Sequence, residues 1–201
     1  MCEADPSTVP NTTEHDMLNP VFTDSMHIKL KRSPGIYLAG FMGSGKSTVG
    51  AELAERLGWD FVDLDREIES REGRRIAAIF DADGEPGFRT LETEAIRRRV
   101  SAIECGRPTV VALGGGAFVE PGNYELIENH GITVWIDCSF DEIKNRLALE
   151  AHDRPLARDP EKFRQLFESR RAGYERADFR VTGDCDPAAT VTAILALPIW
   201  K

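Results

Sequence analysis

The stretch GFMGSGKST, residues 40–48, constrains this chain more than any other. It follows an apolar run, GIYLAG at 35–40, and precedes a segment in which Val49, Leu53, Ala54 and Leu57 share one helical face. Strand, glycine-rich loop and helix in that order are the setting the G-x-x-x-x-G-K-[ST] pattern requires. Gly40, Gly43 and Gly45 let successive N–H groups turn towards a phosphate, and the helix start adds the positive end of its dipole. Residues Gly43, Ser44, Gly45, Lys46, Ser47 and Thr48 then cradle a nucleotide. Lys46 would reach the β- and γ-phosphates and the Ser47 hydroxyl would ligate Mg²⁺. A turn that merely joins strand to helix is the plainer alternative, and the complete motif in its setting favours the nucleotide.

The rest of the chain repeats the alternation. DFVDLD (60–65) reads as a second strand, and a helical block runs to about residue 105, its last helix striped by Phe88, Leu91, Ala95, Ile96, Val100 and Ile103. PTVVAL (108–113) and ITVWID (132–137) are apolar throughout, as parallel strands buried on both faces should be. Ser139 and Glu142 form a capping box for a helix to about residue 149. A helix over about 160–176, a fifth strand DFRVTG (178–183) and a terminal helix capped by Asp186-Pro187 complete the pattern. This order predicts an α/β fold in three layers around a five-stranded parallel sheet, in one domain over 34–201. Ligands of such a sheet sit beyond the carboxyl ends of its strands.

Charge and cysteines narrow the function classes. With 34 acidic and 25 basic residues the net charge is -9, which argues against broad nucleic-acid binding but not against an anionic small substrate held by a few arginines. Cys2, Cys105, Cys138 and Cys185 are far apart and form no C-x-x-C pair, so they read as reduced cytosolic thiols. No apolar run approaches the roughly 18 residues of a membrane span. Residues 1–33 are polar and proline-spotted, and fit neither a secretory signal nor a transit peptide. The expectation is a disordered extension, with a start at Met26 as the alternative.

A second glycine cluster stands in VVALGGGAF (110–118), just after a strand. One glycine suffices to reverse a chain. Three in a row, Gly114, Gly115 and Gly116, predict that backbone approaches something with no side chain in the way.

Several charged residues are candidates for handling a phosphate acceptor. Asp63 and Asp65, two apart on an extended chain, would point the same way, as a base and a metal-side carboxylate require; Asp65 serves equally as a helix cap. Arg89 and Glu92 are helical neighbours, so the glutamate would hold the guanidinium as a fork for a carboxylate, or the two form a surface pair of little weight. Arg97, Arg98 and Arg99 read as a solvated face. HDRPLARDP (152–160) reads as a lid over about 150–160 that delivers Arg154 to the transferring phosphoryl group, or as an ordinary loop; His152 reads as solvated. At least one of Arg170, Arg171 and Arg176 is expected to be functional.

In their order and spacing, GFMGSGKST, DLD, GEPGFRTLE, GGGA, RPL and RRAGYERA resemble the shikimate kinases, P-loop kinases of aromatic amino-acid biosynthesis, over nearly the whole chain from about residue 35 to 199. The resemblance implies a P-loop kinase fold and transfer of phosphate from ATP, with Mg²⁺, to the 3-hydroxyl of shikimate. It implies that Asp65 orients or deprotonates the hydroxyl, Asp63 holds the metal through water, and Arg89 and Arg171 clamp the shikimate carboxylate with Glu92 positioning Arg89. It implies further an apolar wall of Ile76, Phe80 and Phe88, charge neutralisation by Lys46 and Arg154, an adenine contact from Arg146, and an acceptor cradle at Gly114–Gly116. The chain departs from the family pattern at Ala157 in the lid, at the spacing from Arg146 to Arg154, and at Asp184-Cys185 where some members place an arginine over the adenine. A cytoplasmic monomer is expected. The alternatives are another P-loop metabolite kinase, such as a gluconate kinase, or a non-catalytic nucleotide-binding regulator, which would be expected to have lost Lys46, Asp65 or Arg89.

Overall fold

The computed structural model describes residues 34–149 and 159–200. Strands β1 (Gly35–Ala39), β2 (Asp60–Asp63), β3 (Thr109–Ala112), β4 (Ile132–Asp137) and β5 (Phe179–Thr182) form one parallel sheet in the order β2-β3-β1-β4-β5. Among the described residues the helices are α1 (Lys46–Leu57), α2 (Leu64–Glu72), α3 (Ile76–Glu104), α4 (Pro121–Ile127), α5 (Phe140–Leu149), α6 (Pro160–Tyr174) and α7 (Pro187–Leu195), then a 3₁₀ turn at Pro198–Trp200.

The layers follow from alternation along the strands, whose successive side chains leave on opposite faces. Ile36 and Leu38 of β1, with Val110 and Val134, join Val49 and Leu53 of α1 and Val191 and Ile194 of α7 in one core. Tyr37, Val111 and Trp135 instead join Ala95, Ile96 and Ile103 of α3 and Phe163 and Phe167 of α6 in the other. Each fully buried aliphatic side chain contributes about 1.5–3 kcal/mol of burial free energy, so both faces of the sheet must be covered. The expected three-layer α/β/α architecture is therefore the observed one. β1 lies between β3 and β4, and its carboxyl end is where the strand order reverses, which is where such sheets bind ligands.

Local details differ from the sequence reading. β2 stops at Asp63 because that side chain turns back to cap α2, its Oδ1 accepting from Arg66 N at 3.2 Å. Asp65 is therefore helical and is not the cap. The helical block is two helices, separated at Gly73 (φ 63°), and α3 is itself broken at Gly84 (φ 69°, ψ -179°). Two of the three arginines expected to be solvated are tied down. Arg99 pairs with Glu67 of α2 at 2.8 Å and Arg98 lies 3.6 Å from it. α4 and the 3₁₀ turn are too short for periodicity to announce. The Asp186 cap is present, accepting from Ala188 N and Ala189 N, but the expected capping box is only half formed. Ser139 Oγ accepts from Glu142 N, while Ser139 N donates to Asp184 Oδ1 because the Glu142 carboxylate is taken by Arg146. The expected extension, and most of the expected lid with His152, Arg154 and Ala157, lie outside the described residues.

Candidate active site

The loop after β1 is built on three glycines in the left-handed region, Gly40 (φ 143°), Gly43 (φ 78°) and Gly45 (φ 90°), where a Cβ is disfavoured. They curl the chain around the buried Lys46, whose Nζ donates to the carbonyls of Gly40 and Phe41 at 2.8 Å each. Ser47 Oγ, on the first turn of α1, donates to Asp63 Oδ2 at 2.5 Å. Asp63 therefore works at both ends, one oxygen capping α2 and the other facing Ser47.

Above this loop opens a cleft of about 940 Å³. It is lined by Gly43, Gly45, Lys46, Ser47 and Thr48, by Asp63 and Asp65, by Leu113 and Gly115 at the end of β3, and by Arg146 and residues 184–187. Ser44 is buried behind it. Arg146 of α5 spans the cleft rim. Its Nε donates to Glu142 at 2.8 Å, its Nη2 to the Gly183 carbonyl at 2.7 Å and to that of Cys185 at 3.3 Å. Its Nη1 comes within 3.5 Å of the point where a Cβ on Gly45 would stand. The loop after β5, where the chain departs from the family pattern, thus holds this arginine by main-chain carbonyls, which any side chain at 184 or 185 permits.

The second glycine cluster has a different origin. Gly114, Gly115 and Gly116 have no positive φ, so the requirement is for space. A Cβ on Gly114 would stand 2.9 Å from both Asp65 Oδ1 and Glu92 Oε1. One on Gly116 would stand 2.7 Å from Arg89 Nη2. One on Gly115 would stand 3.3 Å from Met42 N of the first loop and 3.5 Å from Arg170 Nη1. Two carboxylates and two guanidiniums thus converge on three residues that present backbone alone. Arg89 donates to Glu92 at 2.7 Å and to Glu85 at 3.0 Å, and Glu92 is buried. Burial pushes the Glu92 carboxyl above the ordinary glutamate range, against the opposing pull of Arg89. Phe80 stacks on Phe88 at 4.8 Å, and the Arg89 guanidinium lies 5.6 Å from the Phe88 ring.

The expected partner of Arg89 was Arg171, and the geometry corrects this. Arg171 turns away to β4, donating to both carboxylate oxygens of Asp137 at 2.9 and 3.4 Å. Arg170 is the arginine at the glycine turn. Adjacent helical residues point about 100° apart, whereas residues four apart share a face. Tyr174, four after Arg170, donates its hydroxyl to the Gly115 carbonyl. Burial holds that phenol protonated far above its ordinary value, which keeps it a donor. The i, i+4 pairing of Arg170 with Tyr174 is the signal that distinguishes the two arginines in the sequence. Arg176 also points elsewhere, bonding the carbonyls of Phe118 and Val119.

Chemically the site holds a phosphate loop and, one strand away, a pocket suited to a carboxylate and a hydroxyl. The family model that matches residues 42–197 is that of shikimate kinase. The chain belongs to the shikimate kinase family. A shikimate kinase of Sulfurihydrogenibium sp. (strain YO3AOP1) is 45% identical over 150 residues, which span 74% of this chain and 87% of that protein. One from Synechococcus sp. (strain CC9605) is 42% identical over 183 residues, 88% of this chain and 89% of the relative. Among solved structures, a shikimate kinase from Acinetobacter baumannii in complex with shikimate superposes with a TM-score of 0.74 at 34% identity, covering 84% of this chain and 94% of that one.

Proposed function

We propose that this chain transfers the γ-phosphoryl group of ATP to the 3-hydroxyl of shikimate, giving shikimate 3-phosphate and ADP. The observation that carries the reading is the convergence of Asp65, Glu92, Arg89 and Arg170 on Gly114–Gly116, with Gly115 beside the first glycine loop. Arg89 and Arg170 hold the substrate carboxylate as two cationic forks. Glu92 orients Arg89. Asp65 takes the proton of the attacking hydroxyl, whose oxygen forms the new bond to phosphorus as the bond to the ADP oxygen breaks. Phe80 and Phe88, with Ile76, form the apolar side of the pocket. The bared backbone of Gly114–Gly116 admits the ring hydroxyls.

On the donor side Gly43, Ser44, Gly45, Lys46 and Thr48 bind the phosphates, and Arg146 lies where the adenine enters. Lys46 would exchange its two carbonyl partners for phosphate oxygens. Arg154 has the charge-neutralising role that the resemblance implies. The donor set fits Mg²⁺: Ser47 Oγ and Asp63 Oδ2 are adjacent and open onto the cleft. An ion held by that pair would be completed by substrate phosphates and water. When bound, Mg²⁺ offsets the charge that builds on the phosphoryl oxygens. A monomer is the state proposed. A cytoplasmic location is proposed with it, on the wide spacing of the four cysteines in the sequence.

The test is ADP release by the purified protein with ATP and Mg²⁺ and either shikimate, quinate, gluconate or no acceptor. Release that requires shikimate is expected. Release with gluconate in its place would keep the nucleotide site and overturn the acceptor pocket; ATP binding with no release for any acceptor would favour the non-catalytic reading.

A further inference from the structure

Arg171 is displaced from the acceptor site, yet it is held more firmly than a surface arginine needs to be. Its guanidinium makes a two-point contact with Asp137, at 2.9 and 3.4 Å, and lies 5.1 Å from the Trp135 ring and 5.7 Å from that of Phe167. Asp137 has a side chain only 13% exposed and also receives Arg180 of β5. Its backbone carbonyl accepts from Gly183 N at 2.7 Å, so the anchor sits where two strands end.

The last turn of α6 sends Arg170 and Tyr174 to the glycine turn and Arg171 to β4. Phe163, Phe167 and Tyr174 seat α6 in the core and set its rotation coarsely. Arg170 and Arg171 leave the helix about 100° apart. The polar attachment of Arg171 to Asp137 sets the rotation near the end of the helix more finely. We infer that the Arg171–Asp137 pair is a positioning device for acceptor binding, fixing the rotation of α6 so that Arg170 faces Gly115. The inference rests on the function proposed above, and makes Arg171 a residue that acts through Arg170 and touches no substrate.

Substitution Arg171→Met tests it, because the new side chain retains apolar contact with Trp135 and Phe167 while the fork is lost. Asp137 keeps Arg180 as a partner in that variant, so no uncompensated carboxylate is created. Small displacements of a binding group are costly, and the KM for shikimate should rise about tenfold. The KM for ATP should stay within about twofold, and Arg171→Lys should recover part of the loss. The decisive comparison is Arg170→Ala against Arg170→Ala/Arg171→Met. If Arg171 acts only through Arg170, the double variant is no worse than the single one beyond about twofold. Multiplying losses, an unchanged shikimate KM in Arg171→Met, or equal losses for both substrates would each overturn the anchor while wild-type turnover upholds the proposed function. A wild-type protein inert with shikimate would overturn that function, and the anchor's role with it.

Discussion

Asp65 and Glu92 meet over Gly114: a single Cβ there would stand 2.9 Å from an oxygen of each. The two carboxylates come from different helices, α2 and α3, and only a residue without a side chain lets them approach the same point of backbone. The middle of the triple glycine is less crowded, a Cβ there standing 3.3 Å from Met42 N, but it is tied on two sides. Gly115 accepts the Tyr174 hydroxyl and lies against the nucleotide loop.

Gly114→Ala should therefore displace both carboxylates. A loss of about a hundredfold in kcat/KM for shikimate is expected, with ATP binding retained. Gly58→Ala makes the contrast. That C-cap has φ 66° and nothing within 4 Å of a new Cβ, so it should lose about 1 kcal/mol of stability with no loss of activity. Steady-state kinetics and chemical denaturation of the two variants separate space from conformation.

Arg89→Ala and Arg170→Ala should each raise the KM for shikimate about ten- to a hundredfold, as befits the loss of a hydrogen bond between charged groups. The KM for ATP should hardly move in either. An ATP effect as large as the shikimate effect in Arg170→Ala would remove that residue from the acceptor pocket.

The two oxygens of Asp63 have separable duties. Asp63→Asn keeps an N-cap and should leave stability nearly unchanged, whereas Asp63→Ala should cost about 1 kcal/mol. If Asp63 holds Mg²⁺ through water as proposed, both should raise the Mg²⁺ concentration needed for half-maximal activity about tenfold or more. Melting curves read the first duty and Mg²⁺ titrations of activity the second.

Burial raises the Glu92 carboxyl above the ordinary value near 4.5. A raised folded value means that the native state binds the proton more tightly than the unfolded chain. The Glu92 contribution is therefore most favourable below the ordinary value and declines as pH rises towards the folded one. Glu92→Gln does not titrate there. The stability of wild type relative to this variant should fall as pH rises above 4.5 and then level off. Denaturation across pH 4–8 measures this, and a rising difference would reverse the sign argued here.

The cysteines report on the cleft. Burial, with Asp184, pushes the Cys138 thiol up to about 12, so at pH 8 it should resist alkylation. Cys105 is exposed and should react readily, and Cys185, partly buried at the cleft, more slowly. MgATP should slow the labelling of Cys185 alone among these three, as mapped by mass spectrometry. Unchanged labelling would mean that the nucleotide does not reach the loop after β5.

The sheet and its order of elements are legible in the sequence because each strand is a short apolar run and the motifs mark the junctions. All five strands and the caps at Ser139 and Asp186 fall where periodicity and capping chemistry put them. What escaped are features set by contacts distant in the chain. Asp63 ends its strand early because Ser47, 16 residues away, and the first turn of α2 each take one of its oxygens. The break at Gly84 lies inside a segment whose apolar stripe continues on both sides, so periodicity passes over it. Arg170 and Arg171 are chemically identical neighbours, and only the direction of Tyr174 tells them apart.

The parallel sheet also sets a length scale. The loop proposed to hold the nucleotide leaves β1 and the turn proposed to hold the acceptor leaves β3, adjacent strands still joined by Leu113 N to the Leu38 carbonyl at their last rung. Neighbouring strands are held about 4.8 Å apart by their hydrogen bonds. The roots of the donor and acceptor platforms are thus spaced by a main-chain constant that side-chain substitution in either loop cannot stretch. Loops, lids and adenine contacts can drift in sequence around such a ruler, while the gap that the phosphoryl group must cross is inherited from the sheet.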